Sequence, residues 1–396
     1  MRSSSLIFIV GLIFILLTDM ILWLQVKVYL RKKWQLLLYC LHSLIFVVSL
    51  ICFQFFLLHL KGPETYFWIE KLVGLIFLFY TPKFFFIVFN GIGRFIKIFS
   101  KSVGHYVLWF SSIFATFVFM ILLYSITLGR YCYKTEIVPV YLNQLPKAFE
   151  DFRIIQLSDL HLGSYGKSYP GISRLVKEVN ALDPDLIVFT GDMVNNFASE
   201  MNPWMKNLKE LKARYGKYAI TGNHDYGDYT RWSTEEAKQE NLKLFFKNME
   251  TIGFQMLNNN NVPIIRGMDT LWLAGVENWG NPPFPRYGKL AEAIHLLKKN
   301  HFIILLSHDP SHWRAEVLEH NIPLTLSGHT HAMQMGIKIG KKRWSPAQHI
   351  YPEYDGLYQE NNQFLYVSRG QGYIGFPGRI GLRPAITELI LKSVAK

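Results

Sequence analysis

The chain has 396 residues, a formal net charge of +13, 50% hydrophobic residues and only 18% charged ones. Two or three domains fit that length. Three cysteines, Cys40, Cys52 and Cys132, all in or beside the first third, exclude a disulfide framework or a thiolate metal site in the remainder. The basic excess suits nucleic acid or anionic lipid, and the apolar first third decides for lipid.

A transmembrane helix needs roughly 20 apolar residues, and four runs reach that length: residues 6–24, 36–60, 67–89 and 106–128. Residues 1–130 therefore read as an all-α region of four membrane spans. The first run has a long apolar core and no small-x-small cleavage site, so it reads as an anchor and not a signal peptide. Gly74 and Pro82 are tolerable inside a membrane helix. The loop after the first span carries Lys27, Arg31, Lys32 and Lys33, and the loop after the third Arg94, Lys97 and Lys101. The second loop has Lys61 beside Glu64. The positive-inside rule then makes loops one and three cytoplasmic, against Arg2, Arg130 and Lys134. The expectation is an integral protein of the plasma or inner membrane with its C-terminal domain extracytoplasmic. Asp19, His42, Gln54 and His59 lie in or near spans, but no relay pattern repeats and a transport role is not favoured. Residues 92–105 read either as an interfacial amphipathic helix or as a basic loop.

Residues 131–149, with Pro139 and Pro146, read as a linker. From residue 150 to 396, strand-length apolar runs alternate with helix-length amphipathic segments, the pattern of a layered α/β domain. Strands are expected at 153–158, 186–190, 218–221, 254–257, 262–266, 271–276, 302–306, 322–326, 364–367 and 385–391. Helices are expected at 172–182, 205–213, 234–251 and 290–299, and a hairpin-like excursion at 335–344. The second half reads as more antiparallel than the first.

Five strand ends finish in one vocabulary: Asp159 with His161, Asp192, Asn223 with His224, His308, and His329 with His331. In an extended segment, residues two apart point the same way, so a His-x-His pair converges on one point. Nitrogen and oxygen donors without thiolates suit Mn, Fe or Zn. The donors are too many for one ion, whereas two divalent ions about 3.5–4 Å apart and sharing a carboxylate would use them.

Asp159-Leu160-His161, Gly191-Asp192, Gly222-Asn223-His224-Asp225, His308 and Gly328-His329-Thr330-His331 together resemble the signature of the calcineurin-like metallophosphoesterases, over about residues 152–391. That resemblance implies a four-layer αββα sandwich of two sheets flanked by helices, and a dinuclear centre at the sheet edges. Asp159, His161 and His331 would hold the first metal, Asp192 would bridge, and Asn223, His308 and His329 would hold the second. A metal-bridging hydroxide would attack phosphorus while the cations neutralise the phosphate oxygens. His224 would stabilise the transition state or protonate the leaving oxygen, with Asp225 orienting its ring or else capping the next helix. The membrane-anchored branch is the nearest in kind. Its last motif continues Gly-Gly-Gln where this chain has Ala332-Met333-Gln334, and its C-terminal stretch is similar to 366–370 and 381–384. Arg369 or Arg383 would hold a substrate phosphate or form a structural salt bridge. Glu277-Asn278 stands where relatives carry paired acids.

The expected function is therefore hydrolysis of a phosphoester or pyrophosphate in a lipid-linked or membrane-proximal substrate, with no nucleic-acid partner. Lys338, Lys341, Lys342, Arg343 and Trp344 form a basic tip suited to anionic headgroups, or simply a solvated hairpin. One alternative within the resemblance is a UDP-diacylglucosamine pyrophosphatase of lipid A synthesis, which would need a cytoplasmic site. Another is a non-catalytic metal-binding scaffold. The oligomeric state is left open.

Overall fold

A computed structural model describes residues 2–27, 29–59, 62–166, 170–282, 284–340 and 342–394. Leu60, Lys61 and Lys341, and the side chains of Arg2 and His59, lie outside the described residues. The chain divides into a helical unit, Met1–Leu128 with Gly375–Gly378, and an α/β unit, Gly129–Ile374 with Arg379–Lys396.

The helical unit holds α1 (Arg2–Val26), α2 (Lys33–His59), α3 (Glu64–Phe99) and α4 (Lys101–Thr127). All four are long and apolar enough to cross a membrane. α3 continues unbroken through residues 92–99, so no separate interfacial helix or basic loop forms there. Ser100 alone separates α3 from α4, and its hydroxyl accepts from the Val103 amide as an N-cap. Asp19 is buried within the unit: Lys83 Nζ lies 2.6 Å from its Oδ1, and Tyr80 donates to Oδ2 at 2.9 Å. Lys83 and Tyr80 thus account for the buried charge without a transport function.

The α/β unit packs two six-stranded sheets face to face. The first contains β1 (Lys134–Leu142), β2 (Arg153–Leu157), β3 (Leu186–Phe189), β4 (Lys217–Ala219) and β5 (Gln255–Met256). The second contains β6 (Asn260–Arg266), β7 (Asp269–Gly275), β8 (Ile303–Leu306) and β9 (Leu324–Ser327). A hairpin follows, β10 (Ile337–Ile339) and β11 (Lys342–Trp344), then β12 (Gly356–Glu360) and β13 (Gln363–Val367) of the second sheet. The chain closes with β14 (Ala385–Ser393), which returns to the first sheet. The sheet orders are β1-β14-β2-β3-β4-β5 and β12-β13-β9-β8-β7-β6.

Ile154, Val188 and Leu389 of the first sheet meet Leu271, Ile304, Leu326 and Tyr366 of the second in a common core. Full burial of each such side chain contributes about 1.5–3 kcal/mol. The outer face of the first sheet is covered by α5 (Gly171–Ala181), α6 (Met205–Lys209) and α7 (Glu235–Thr251) through Leu175, Leu208 and Phe245. The outer face of the second meets α8 (Leu290–Ala293) and α9 (Ser311–Ala315) through Leu290 and Trp313. This is a four-layer αββα sandwich.

Two sequence expectations need correction. Residues 131–149 are not a linker, because 134–142 forms β1, paired parallel to β14 along its whole length. Pro139 is tolerated because β1 is an edge strand and needs no donor on its outer side. The second sheet is less antiparallel than its turns suggest. Its central ladder, β7-β8-β9-β13, is parallel, and only the flanking pairs β6-β7 and β12-β13 are antiparallel.

Candidate metal centre

Five strands, β2, β3, β4, β8 and β9, end at one edge of the sandwich, and the loops that leave them carry the polar residues. Several take left-handed backbone there: Asp159, His161, Asp192, His329 and His331 have φ of 53, 47, 62, 73 and 49°. Such conformations cost non-glycine residues free energy and gather at functional sites. Gly191, at φ 97°, lies so close to the Gly222 backbone and the His308 ring that a Cβ would sit 2.6 Å from each.

All seven expected ligands are brought together. Ligand atoms of Asp159, His161 and His331 lie within 4.8 Å of one another, as do those of Asp192, His308 and His329. Oδ2 of Asp192, itself in the second trio, reaches toward the first as well, 3.3 Å from His308 Nε2 and 3.5 Å from His161 Nε2. His331 Nε2 is 3.4 Å from Asp159 Oδ1. Asn223 Oδ1 lies 3.2 Å from His308 Nε2 and 3.0 Å from His329 Nδ1. Donors about 2.1 Å from a shared cation stand about 3.0–3.4 Å apart, so these spacings fit divalent ions.

The surroundings decide which nitrogen each imidazole offers. His161 Nδ1 meets Asn195 Oδ1 at 3.0 Å, and His308 Nδ1 meets the Thr190 carbonyl at 2.7 Å, so both present Nε2. His329 Nε2 meets the Tyr351 hydroxyl at 2.9 Å, leaving Nδ1 turned inward. Asn223 donates through Nδ2 to the Tyr229 hydroxyl at 2.9 Å, which turns its oxygen toward the two histidines. A ring held on its outer nitrogen while the inner one converges on other donors is the arrangement of a metal-ligating histidine.

Burial holds His161 down to about 3 and His329 down to about 4, so both rings are neutral and ready to ligate. His331 is also held well below the ordinary range by burial, reinforced by His161 and Arg379. His308 is the exception: burial opposes its charge, but Asp192 and Asp159 outweigh burial and push it up to about 10.

His224 sits at the rim of the site. Its amide donates to Asp192 Oδ1 at 2.9 Å, and its Nδ1 meets the Asn195 carbonyl at 2.9 Å. The Tyr229 ring lies 4.5 Å away, centroid to centroid. Asp225 does not orient the His224 ring. Its carboxylate accepts from the amides of Gly222, Asp192, Met193 and Val194 at 2.8–3.2 Å, tying the β3 and β4 loops together. Helix capping is excluded too, since α7 starts at Glu235 and is capped by Thr234.

Arg369 and Arg383 are structural. Arg369, 3% exposed, pairs with Glu136 and Asp355, and Arg383 donates to the carbonyls of Cys132 and Tyr133. Glu277 accepts from Tyr226 at 3.0 Å and from Asn259 at 2.7 Å. Sequence reasoning missed Asn195, Tyr229, Tyr351 and Arg379. Asn195 lies three residues beyond Asp192 and Tyr229 six beyond Asn223, so both carried a weak signal, whereas Tyr351 and Arg379 lie 22 and 48 residues from the histidines they meet.

A family profile described as calcineurin-like phosphoesterase matches residues 152–333. The transmembrane protein with metallophosphoesterase domain of Danio rerio is 33% identical over 270 residues, which cover 65% of this chain and 57% of that protein. Its Bos taurus counterpart is 33% identical over 271 residues, covering 65% and 56%. The chain thus spans little more than half the length of these two relatives. The metallophosphoesterase YkuE of Bacillus subtilis is 32% identical over 254 residues, covering 63% of this chain and 82% of YkuE.

Proposed function

The chain belongs to the calcineurin-like metallophosphoesterases, and from that premise we propose that it hydrolyses a phosphoester or pyrophosphate bond in a lipid-linked or membrane-proximal substrate. The observation that carries this reading is Asp192 Oδ2 standing 3.5 Å from His161 of one donor trio and 3.3 Å from His308 of the other, which Asp192 completes. Asp159, His161 and His331 would hold one divalent cation, Asn223, His308 and His329 the other, and Asp192 both. Bound there, Mn, Fe or Zn supplies an acidified water as nucleophile and positive charge for the phosphate oxygens.

The chain's own residues do the rest. The Asn195 carbonyl holds His224 by Nδ1, leaving Nε2 free to hand a proton to the departing oxygen. Asp225 keeps the loops carrying Asp192 and Asn223 in register through its four backbone amides, a positioning role. Four apolar helices long enough to span a bilayer support a substrate at the membrane. Charge in the short loops supports an extracytoplasmic site. The UDP-diacylglucosamine reading needs the opposite side and is disfavoured. A metal-binding scaffold would need the donor set but not His224 beside it.

The test is turnover of bis-p-nitrophenyl phosphate and p-nitrophenyl phosphate by the full chain, with Mn²⁺ or chelator. Wild type is compared with Asp192→Asn and His224→Ala. Metal-dependent turnover is expected to vanish in the first variant and to fall about 10²–10⁴-fold in the second, metal content retained. Turnover indifferent to chelator, or untouched by His224→Ala, overturns the assignment.

A further inference from the structure

The β10-β11 hairpin is built the wrong way round for a surface hairpin. In its register Ile337 opposes Trp344, Lys338 opposes Arg343 and Ile339 opposes Lys342. Opposed residues of an antiparallel pair share a face, and successive residues alternate. One face therefore carries Lys338 and Arg343, the other Ile337, Ile339, Trp344 and Lys342.

The basic face packs inward through Arg343, while Lys338 stays exposed at its edge. Arg343 pairs with Glu136 at 2.8 Å and Asp355 at 2.9 Å, and Lys338 lines a cavity of about 580 Å³ with Arg343, Asp355 and Tyr358. The apolar face is left outside. Ile337 is 56% exposed, Ile339 75% and Trp344 45%. The same alternation runs upstream, where Met335 and Met333 are also exposed while Gln334 and Gly336 are buried. A contiguous exposed apolar patch marks an interaction surface.

Charge and chain context name the occupant. Between Glu319 and Glu353 the sequence holds no acidic residue, while Lys338 and Lys342 are exposed beside the apolar stripe. Isoleucines and a tryptophan flanked by lysines make up the composition of a segment seated at a bilayer interface. The same chain carries four helices long and apolar enough to cross a membrane.

We propose that the outward face of the β10-β11 hairpin inserts into the headgroup region of a bilayer containing anionic lipid. Ile337, Ile339 and Trp344 enter the acyl boundary, and Lys338 and Lys342 meet lipid phosphates. His331, a residue of the first donor trio, lies only six residues ahead of Ile337 along the chain. Seating the hairpin therefore fixes part of the metal centre against the membrane. The proposal stands independently of which phosphate substrate is cleaved.

The experiment uses the full chain in nanodiscs of phosphatidylcholine with phosphatidylglycerol. A nitroxide is attached to Ile337→Cys or Ile339→Cys, with Cys40, Cys52 and Cys132 replaced by alanine. Met268→Cys, in a turn of the second sheet where Met268 is 99% exposed, is the control. Power saturation should place labels 337 and 339 about 5–10 Å below the phosphates, open to oxygen and closed to a nickel chelate. Label 268 should remain open to nickel. In phosphatidylcholine alone the hairpin labels should move toward water, because the lysines lose their partners. Labels 337 and 339 as open to nickel as 268 overturn the proposal, and so do labels closed to both reagents, which means that protein covers the face. A depth indifferent to phosphatidylglycerol removes the part given to the lysines.

Discussion

Nε2 of His161 and Nε2 of His331 face each other at 3.0 Å, from loops 170 residues apart in sequence. Both rings are buried and both are held neutral, His161 by burial and His331 by burial with His161 and Arg379 beside it. Two imidazole edges directed at one point need a cation between them or a shared proton.

Removing Asn195's side chain tests how far that convergence depends on the outer nitrogen. Its Oδ1 meets His161 Nδ1 at 3.0 Å, and its Nδ2 donates to Ser164 at 3.1 Å. Asn195→Ala should weaken metal binding about 10–100-fold while the fold survives. Competition titration of Mn²⁺ or Zn²⁺ into the full chain reads this. An unchanged affinity would show that the ring is held by packing alone.

Acid sensitivity should trace to Glu136. Burial raises its pKa, but hydrogen bonds and charge from Arg369 and Arg343 outweigh burial and hold it at about 2. A carboxylate depressed on folding from an unfolded value of about 4.3 adds stability that is complete above that value. That stability is lost as pH falls from there through 2. Glu136→Gln leaves the buried Arg369 and the half-buried Arg343 sharing Asp355 and should cost about 3 kcal/mol at neutral pH. It should also flatten the acid limb of the unfolding curve in that window, as followed by denaturant titrations at stepped pH. Equal pH dependence in both proteins would remove Glu136 from the account.

Ala332 and Met333 both sit at φ 48°, where the resembling branch carries two glycines. Left-handed backbone costs an L-residue about 1–2 kcal/mol, and glycine gives back about 0.5–1 kcal/mol through the unfolded chain's entropy. Met333→Gly should therefore stabilise the α/β unit by about 0.5–1 kcal/mol in a metal-saturated melt. A lower midpoint would mean that the methionine side chain contributes more than the strain it imposes.

Much of this protein was legible before folding. The four spans follow from run length alone, and the ligands from residue type at strand ends, since both signals are local. β1 was not legible, because Pro139 reads as a strand breaker unless the strand is known to be an edge. Asp225 was misread for a similar reason: its partners Asp192, Met193 and Val194 lie more than thirty residues away and are backbone groups, which leave no mark in a side-chain pattern.

The sequence by itself determined which elements form, which donor atoms are available and that four helices are long and apolar enough to cross a membrane, because periodicity, residue chemistry and run length are properties of short stretches. Only the tertiary structure decided which nitrogen each histidine presents, since that depends on the carbonyl or hydroxyl facing its other side. It also decided which face of the β10-β11 hairpin turns outward. A three-residue strand alternates equally well either way, and the choice fell to Glu136 and Asp355, brought beneath Arg343 by β1 and the loop before β12.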